Sequence, residues 1–172
     1  WTSSKPFGIM TYNIRYDDPN AGDKSWENRK SNVISLIDSL KPQIFGLQEA
    51  MIHQIIDIQD SQPKYKWVGN GRDDGEAKGE FTAIFYNCDE FEIIRASTFW
   101  CSQTPGSPSL GWDAAYNRTV TWVEIKNKKS KKQFIVMNTH FDHIGEIARV
   151  QSAHLVIRVI NDLFSNFPVI LM

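Results

Sequence analysis

A few isolated polar residues stand at the ends of otherwise apolar stretches of this 172-residue chain, and these could carry chemistry. Asn13 closes Thr11-Tyr12-Asn13, Glu49 closes Gly46-Leu47-Gln48-Glu49, and Glu80 opens Glu80-Phe81-Thr82-Ala83-Ile84-Phe85-Tyr86. His140 and Asp142 end Val136-Met137-Asn138-Thr139-His140-Phe141-Asp142, and His143 follows. In layered α/β folds such strand ends open onto the site. The carboxylate of Glu49 and the amide oxygen of Asn13 suit a hard cation, Mg2+ or Mn2+, better than zinc. An imidazole and a further carboxylate suit proton handling and charge stabilisation at a phosphate. Each residue alone also has a structural reading. Asn13 would serve as a turn or cap residue, Glu49 as a partner for the positive end of the next helix, and His140 as a hydrogen-bonded strand residue. Their convergence is what favours a site.

The elements that must position them follow from hydropathy. Residues 7–15 read as a buried strand, followed by a polar loop with Asp17, Asp18 and Gly22. Ser25 or Asp23 is expected to cap a helix to about Leu40, with Val33, Leu36, Ile37 and Leu40 on its apolar face. Lys41-Pro42 ends it, and a strand over 43–49 runs into a second helix over 51–60, which is α/β grammar. Strands over 65–69, 81–87, 91–100, 119–127 and 133–142 then read as an antiparallel meander. A long helix over 145–165 is expected to bury Ala153, Ile157, Ile160 and Phe164, and a strand starts at 168–172.

Composition narrows the function classes. With 19 Lys+Arg against 20 Asp+Glu, the formal charge of −1 excludes bulk attraction to nucleic acid or anionic lipid, so any grip on phosphate must be local. At 41% hydrophobic and 23% charged, the chain can bury a sizeable core as one domain. Cys88 and Cys101 are too few for a disulfide framework and lack metal-knuckle spacing, which leaves a single disulfide open. No apolar run reaches the roughly 18 residues of a membrane helix, and no signal-peptide pattern stands at the start. The chain begins at Trp1 and ends on the strand residues Pro168-Val169-Ile170-Leu171-Met172, so residues 1–172 read as the N-terminal portion of a longer domain. Compartment stays open, with a secreted or periplasmic location if the N-terminus is a processed one. The Lys128-Lys129-Ser130-Lys131 turn reads as a solvated hairpin tip or a nucleic-acid patch. Phe99, Trp100, Trp112 and Tyr116 would form an aromatic wall or pack over a sheet edge.

The segments Met10-Thr11-Tyr12-Asn13-Ile14-Arg15, Gly46-Leu47-Gln48-Glu49-Ala50, Gly79-Glu80-Phe81-Thr82-Ala83-Ile84-Phe85-Tyr86 and Asn138-Thr139-His140-Phe141-Asp142-His143 resemble, in order, the endonuclease/exonuclease/phosphatase superfamily. The wording of Arg72-Asp73-Asp74-Gly75 and of Phe99-Trp100-Cys101-Ser102-Gln103-Thr104-Pro105 is most similar to its bacterial, deoxyribonuclease-like members. The resemblance implies a four-layer α/β sandwich, two packed sheets flanked by helices, with the site at one end. It implies that Glu49 is the principal Mg2+ ligand, that Asn13 lies near the metal and the attacking water, and that His140 donates to the scissile phosphate. By position it implies that Glu80 orients His140 and that Arg118 contacts phosphate. Asp142 and His143 would add a second metal or proton role, or Asp142 would simply start the helix at Gly145. The family's Gly-Asp-X-Asn and later Asp-His motifs do not occur in these 172 residues. The expected function is therefore Mg2+-dependent phosphoester hydrolysis by in-line attack of water, with this chain inactive by itself. A non-catalytic binding or scaffold protein of the same fold is the alternative. The substrate class stays open among nucleic acid, phospholipid headgroup and small phosphate esters.

Overall fold

Period-two alternation sorts the side chains of each strand onto two faces, and the structure uses both faces of two sheets. It is a computed structural model describing residues 6–172. The strands are β1 (Ile9–Asn13), β2 (Ile44–Gln48), β3 (Tyr65–Val68), β4 (Ile84–Asn87), β5 (Phe91–Trp100), β6 (Thr119–Asn127), β7 (Gln133–Thr139) and β8 (Val169–Leu171). The helices are α1 (Trp26–Leu40), α2 (Ile52–Ser61) and α3 (Glu146–Phe164). One sheet runs β1-β2-β4-β3, the other β5-β6-β7-β8. The β1–β2 and β7–β8 pairs are parallel and the others antiparallel, so both sheets are mixed.

Three apolar clusters define four layers. Phe45, Leu47 and Phe85 pack outward against Trp26, Val33 and Ile37 of α1 and Ile55 and Ile58 of α2. The alternate residues Ile44, Ile84 and Tyr86 face Phe91, Val123, Ile125, Phe134 and Val136 of the other sheet. The second sheet turns Val120, Ile135 and Met137 outward to Val156 and Phe164 of α3. This is the helix–sheet–sheet–helix sandwich that the resemblance implies.

Several expectations are corrected in detail. The expected meander is divided, with β3 and β4 in one sheet and β5 to β7 in the other. Leu36 and Leu40 are exposed, and the buried face of α1 is Trp26, Val33 and Ile37. Ser25 occupies the position before α1 without capping the helix backbone, its Oγ accepting from Asn28 Nδ2 at 3.1 Å, and Asp23 lies in a single 3-10 turn; Asp17 Oδ1 accepts from Trp26 N at 2.9 Å instead. On α3 the buried residues are Ala148, Ser152, Leu155, Val156 and Phe164, while Ile157 is exposed. That helix also carries the exposed apolar residues Ile147, Val150, Ile157 and Leu163, so hydropathy does not select the stripe that meets the sheet. Cys88 and Cys101 are free thiols. The residues of the Lys128–Lys131 turn are exposed, as a hairpin tip requires. No helix among the described residues is long and apolar enough to cross a membrane.

Candidate functional site

The space between the sheets changes character toward one end. Where other strands contribute Ile, Val and Phe, this end carries Gln48, Thr82, Thr119, Thr121 and Asn138, all buried. Buried polar groups of this kind must find hydrogen bonds. Asn138, wholly buried on β7, donates through Nδ2 to Leu47 O at 2.8 Å and Ala83 O at 2.9 Å, and its Oδ1 accepts from Gln48 Nε2 at 2.6 Å. It thus binds β2 and the start of β4 to β7 across the sandwich. Gly46 makes room for this approach, since a Cβ there would lie 2.7 Å from Asn138 Cγ. The Thr82 hydroxyl is likewise 3.1 Å from those of Thr119 and Thr121.

Glu49 and His140 stand one residue beyond the two strands so clamped. Glu49 follows β2 with φ +58°, a left-handed conformation that costs a non-glycine residue stability and recurs at functional positions. Its Oε1 accepts from Asn13 Nδ2 at 2.8 Å and its Oε2 from Tyr16 N at 3.3 Å. Asn13 Oδ1 accepts from Arg15 N at 2.9 Å, so Asn13 presents its amide hydrogens, not its oxygen, to the carboxylate. His140 Nε2 lies 3.5 Å from Glu49 Oε1. Burial, reinforced by Arg118, lowers the His140 pKa below its ordinary 6.5 against the upward pull of Glu49. The imidazole is therefore mainly neutral at pH 7.

Glu49 and His140 meet Arg72, Glu80 and Arg118, together with Thr82 and Thr119, around an open cavity. Glu80 does not orient His140. Its Oε2 accepts from Arg72 Nη1 at 2.7 Å, because the 69–80 loop folds back and brings a guanidinium to the carboxylate. Burial nevertheless pushes the Glu80 pKa up, with Arg72 pulling the other way.

Asp142 is also reassigned. Its Oδ1 accepts from Ile144 N and Gly145 N, and its Oδ2 from Ala115 N and Arg118 Nε. With both oxygens engaged and 2% exposure, it starts the α3 region and anchors Arg118; it is not placed for a second metal. His143 accepts the same restraining role, its Nδ1 3.0 Å from an Arg118 Nη2. Burial works to raise the Asp142 pKa, but those backbone N–H groups and Arg118 outweigh it and hold the carboxyl well below the usual range. A carboxylate depressed in the folded state contributes stability above its unfolded value, near 3.8, that is lost as pH falls through that value. Urea midpoints measured at about pH 5 and about pH 3 should therefore fall more steeply for the wild type than for Asp142→Asn. Equal slopes would remove Asp142 from the acid response.

No group of three His, Cys, Asp or Glu able to cage a metal occurs among the described residues. Mg2+ does not require one, being commonly held by one or two carboxylates with waters and phosphate oxygens. Glu49 fits that pattern, since among the described residues no Lys or Arg pairs with it and its hydrogen bonds come from an amide and a backbone N–H, with His140 Nε2 at 3.5 Å. Sequence reasoning missed Arg72, Gln48 and Asn138. The signal for the last two was a polar residue at a core-facing position of a buried strand; for Arg72 there was only its place in a glycine-rich loop.

No family model matches the chain. An uncharacterized protein of Acanthamoeba polyphaga mimivirus is 31% identical over 130 residues, 68% of this chain and 46% of that protein. An endonuclease/exonuclease/phosphatase family protein of Bacteroides thetaiotaomicron is similar in structure, with TM-score 0.90 and 40% identity over 95% of this chain and 60% of its own. A mannosyl-6-phosphatase of the same species superposes with TM-score 0.92 and 39% identity, covering 96% of this chain and 64% of its own. The chain thus spans about half the length of the curated relative and under two thirds of these solved structures.

Proposed function

Because the chain belongs to the endonuclease/exonuclease/phosphatase superfamily, we propose that the protein hydrolyses phosphate esters with the help of a divalent cation held at Glu49. One observation carries this reading: the ends of β2, β6 and β7 bring a carboxylate, a guanidinium and an imidazole to one open cavity. Likeness to a phosphatase at 39% identity supports the same class of chemistry.

Mg2+ or Mn2+ would supply charge neutralisation at the phosphoryl oxygens. The chain's own groups do the rest. Arg118, fixed by Asp142 and His143, presents a positive charge that need not reorganise, which is the condition for electrostatic stabilisation of a developing phosphate charge. His140, neutral and half-buried, offers a ring N–H to a phosphoryl oxygen without adding a like charge beside the cation. Asn13 orients Glu49 through its Nδ2. We further expect the 172-residue chain alone to be inactive, since the family's Gly-Asp-X-Asn and later Asp-His motifs do not occur in it.

The test is hydrolysis of bis-p-nitrophenyl phosphate and p-nitrophenyl phosphate by the longest natural form of the protein, beside the 172-residue chain. Turnover that needs Mg2+ and stops with EDTA is the expected result. Metal binding with no turnover of either ester, or no metal binding at all, would favour a binding protein of the same fold.

A further inference from the structure

Arg72 is the one guanidinium at the cavity that neither the sequence nor the family resemblance assigns a role. It is 12% exposed, and its charge meets Glu80, which is 17% exposed. Its Nη1 donates to Glu80, while its Nε is buried without a hydrogen bond among the described residues, the exposed Asp73 Oδ1 lying 3.8 Å away. Leaving a buried charged donor unpaired is costly, and native structures do so rarely without a reason. Its guanidinium carbon also lies 5.0 Å from the ring centre of Tyr116, which is 53% exposed and stacked near-parallel on His143. The guanidinium is thus held on two sides and under-satisfied.

The loop around it is built to keep it there. Trp100 Nε1 and Asn117 Nδ2 both donate to Arg72 O, at 2.7 and 3.2 Å. Asp74 Oδ1 accepts from Glu76 N and Lys78 N. Arg72 N donates to Glu80 O, closing the loop at the residue that pairs with its side chain. Gly71 has no room for a Cβ against Lys78 O. Such positioning exceeds what a surface ion pair requires.

We infer that Arg72 is a substrate-binding residue for a terminal phosphate group, and that it makes the site selective for phosphomonoesters over diesters. The inference rests on the phosphoesterase reading and deepens it. The cavity opens to solvent, so the organic part of an ester has room outside it. Arg72, Arg118 and His140 line it alongside Glu49. A diester offers two non-bridging oxygens and one negative charge. A monoester offers three oxygens and a charge near −2 at neutral pH, which uses a second guanidinium fully.

Isothermal titration of inorganic phosphate and of dimethyl phosphate into the Mg2+-loaded protein tests this without requiring turnover. Arg72→Met alone strands Glu80, so the Arg72→Met/Glu80→Gln pair and Arg72→Lys are measured as well, with thermal melts to verify folding. Expected is a loss of about tenfold or more in inorganic-phosphate affinity for the paired variant, against less than about threefold for dimethyl phosphate. Arg72→Lys should fall between, because it keeps the charge and loses the fork. Equal losses on both ligands, no loss on either, or a wild type that does not bind inorganic phosphate would each overturn the inference. Arg72-dependent phosphate binding in a protein that turns over neither ester keeps the subsite and removes the hydrolase; turnover with Arg72-independent binding does the reverse.

Discussion

In the longest natural form of the protein, Glu49→Ala is expected to lower kcat/KM for phosphate-ester hydrolysis by about a thousandfold, the rate equivalent of the several kcal/mol a bound cation contributes to transition-state charge stabilisation. It should also abolish Mg2+ or Mn2+ binding, followed independently by Mn2+ electron paramagnetic resonance. The fold should survive, because Glu49 is only half-buried and its partners, Asn13 Nδ2 and Tyr16 N, lie where water can replace it. Glu49→Gly supplies a sharper control. At φ +58° glycine relieves a left-handed strain of about 1 kcal/mol, so this variant should be as inactive as Glu49→Ala and at least as stable. A residue kept for packing would show the opposite pattern, with stability lost and rate retained. Full activity in either variant would overturn the metal assignment.

Asn138→Leu is expected to cost about 4 kcal/mol of folding stability, read as a fall in the urea midpoint. Leucine has similar bulk, so little of that cost is cavity. Instead Leu47 O loses a buried partner, Gln48 Nε2 keeps only the bond to Thr11 Oγ1, and Ala83 O keeps only the bond from Leu47 N. Each buried group that loses its partner costs about 1–3 kcal/mol. Because Asn138 joins the strands that end at Glu49 and His140, the variant should also weaken metal binding in whatever fraction stays folded. Unchanged stability would mean that water enters between the sheets at this end and that the clamp is dispensable.

Much of the fold was legible because its signals are local. The α/β opening and the alternation that sends Ile44 one way and Phe45 the other follow from hydropathy and chain stereochemistry. So do the limits of β5 and β6, which match residues 91–100 and 119–127. Leu36, Leu40 and Ile157 were misassigned because a helix with more than one apolar stripe is oriented by the sheet beneath it, not by its own moment. Asp17, remote in sequence from α1, displaced Ser25 and Asp23 as its cap for a similar reason.

For the site, the division is equally physical. Residue type and strand-end position single out Asn13, Glu49, Glu80 and His140 in the sequence alone, while Arg118 enters only through the family resemblance. Which of them pair was decided only by the tertiary structure. Glu80 meets Arg72, not His140; Asp142 spends both oxygens on Arg118 and three backbone N–H groups; and His140 stands beside Glu49, from a strand some 90 residues away. Pairing depends on contacts of about 3 Å between groups far apart in the chain. Those distances are set by how the two sheets pack and by the Asn138 clamp between them, and one-dimensional spacing holds no record of either.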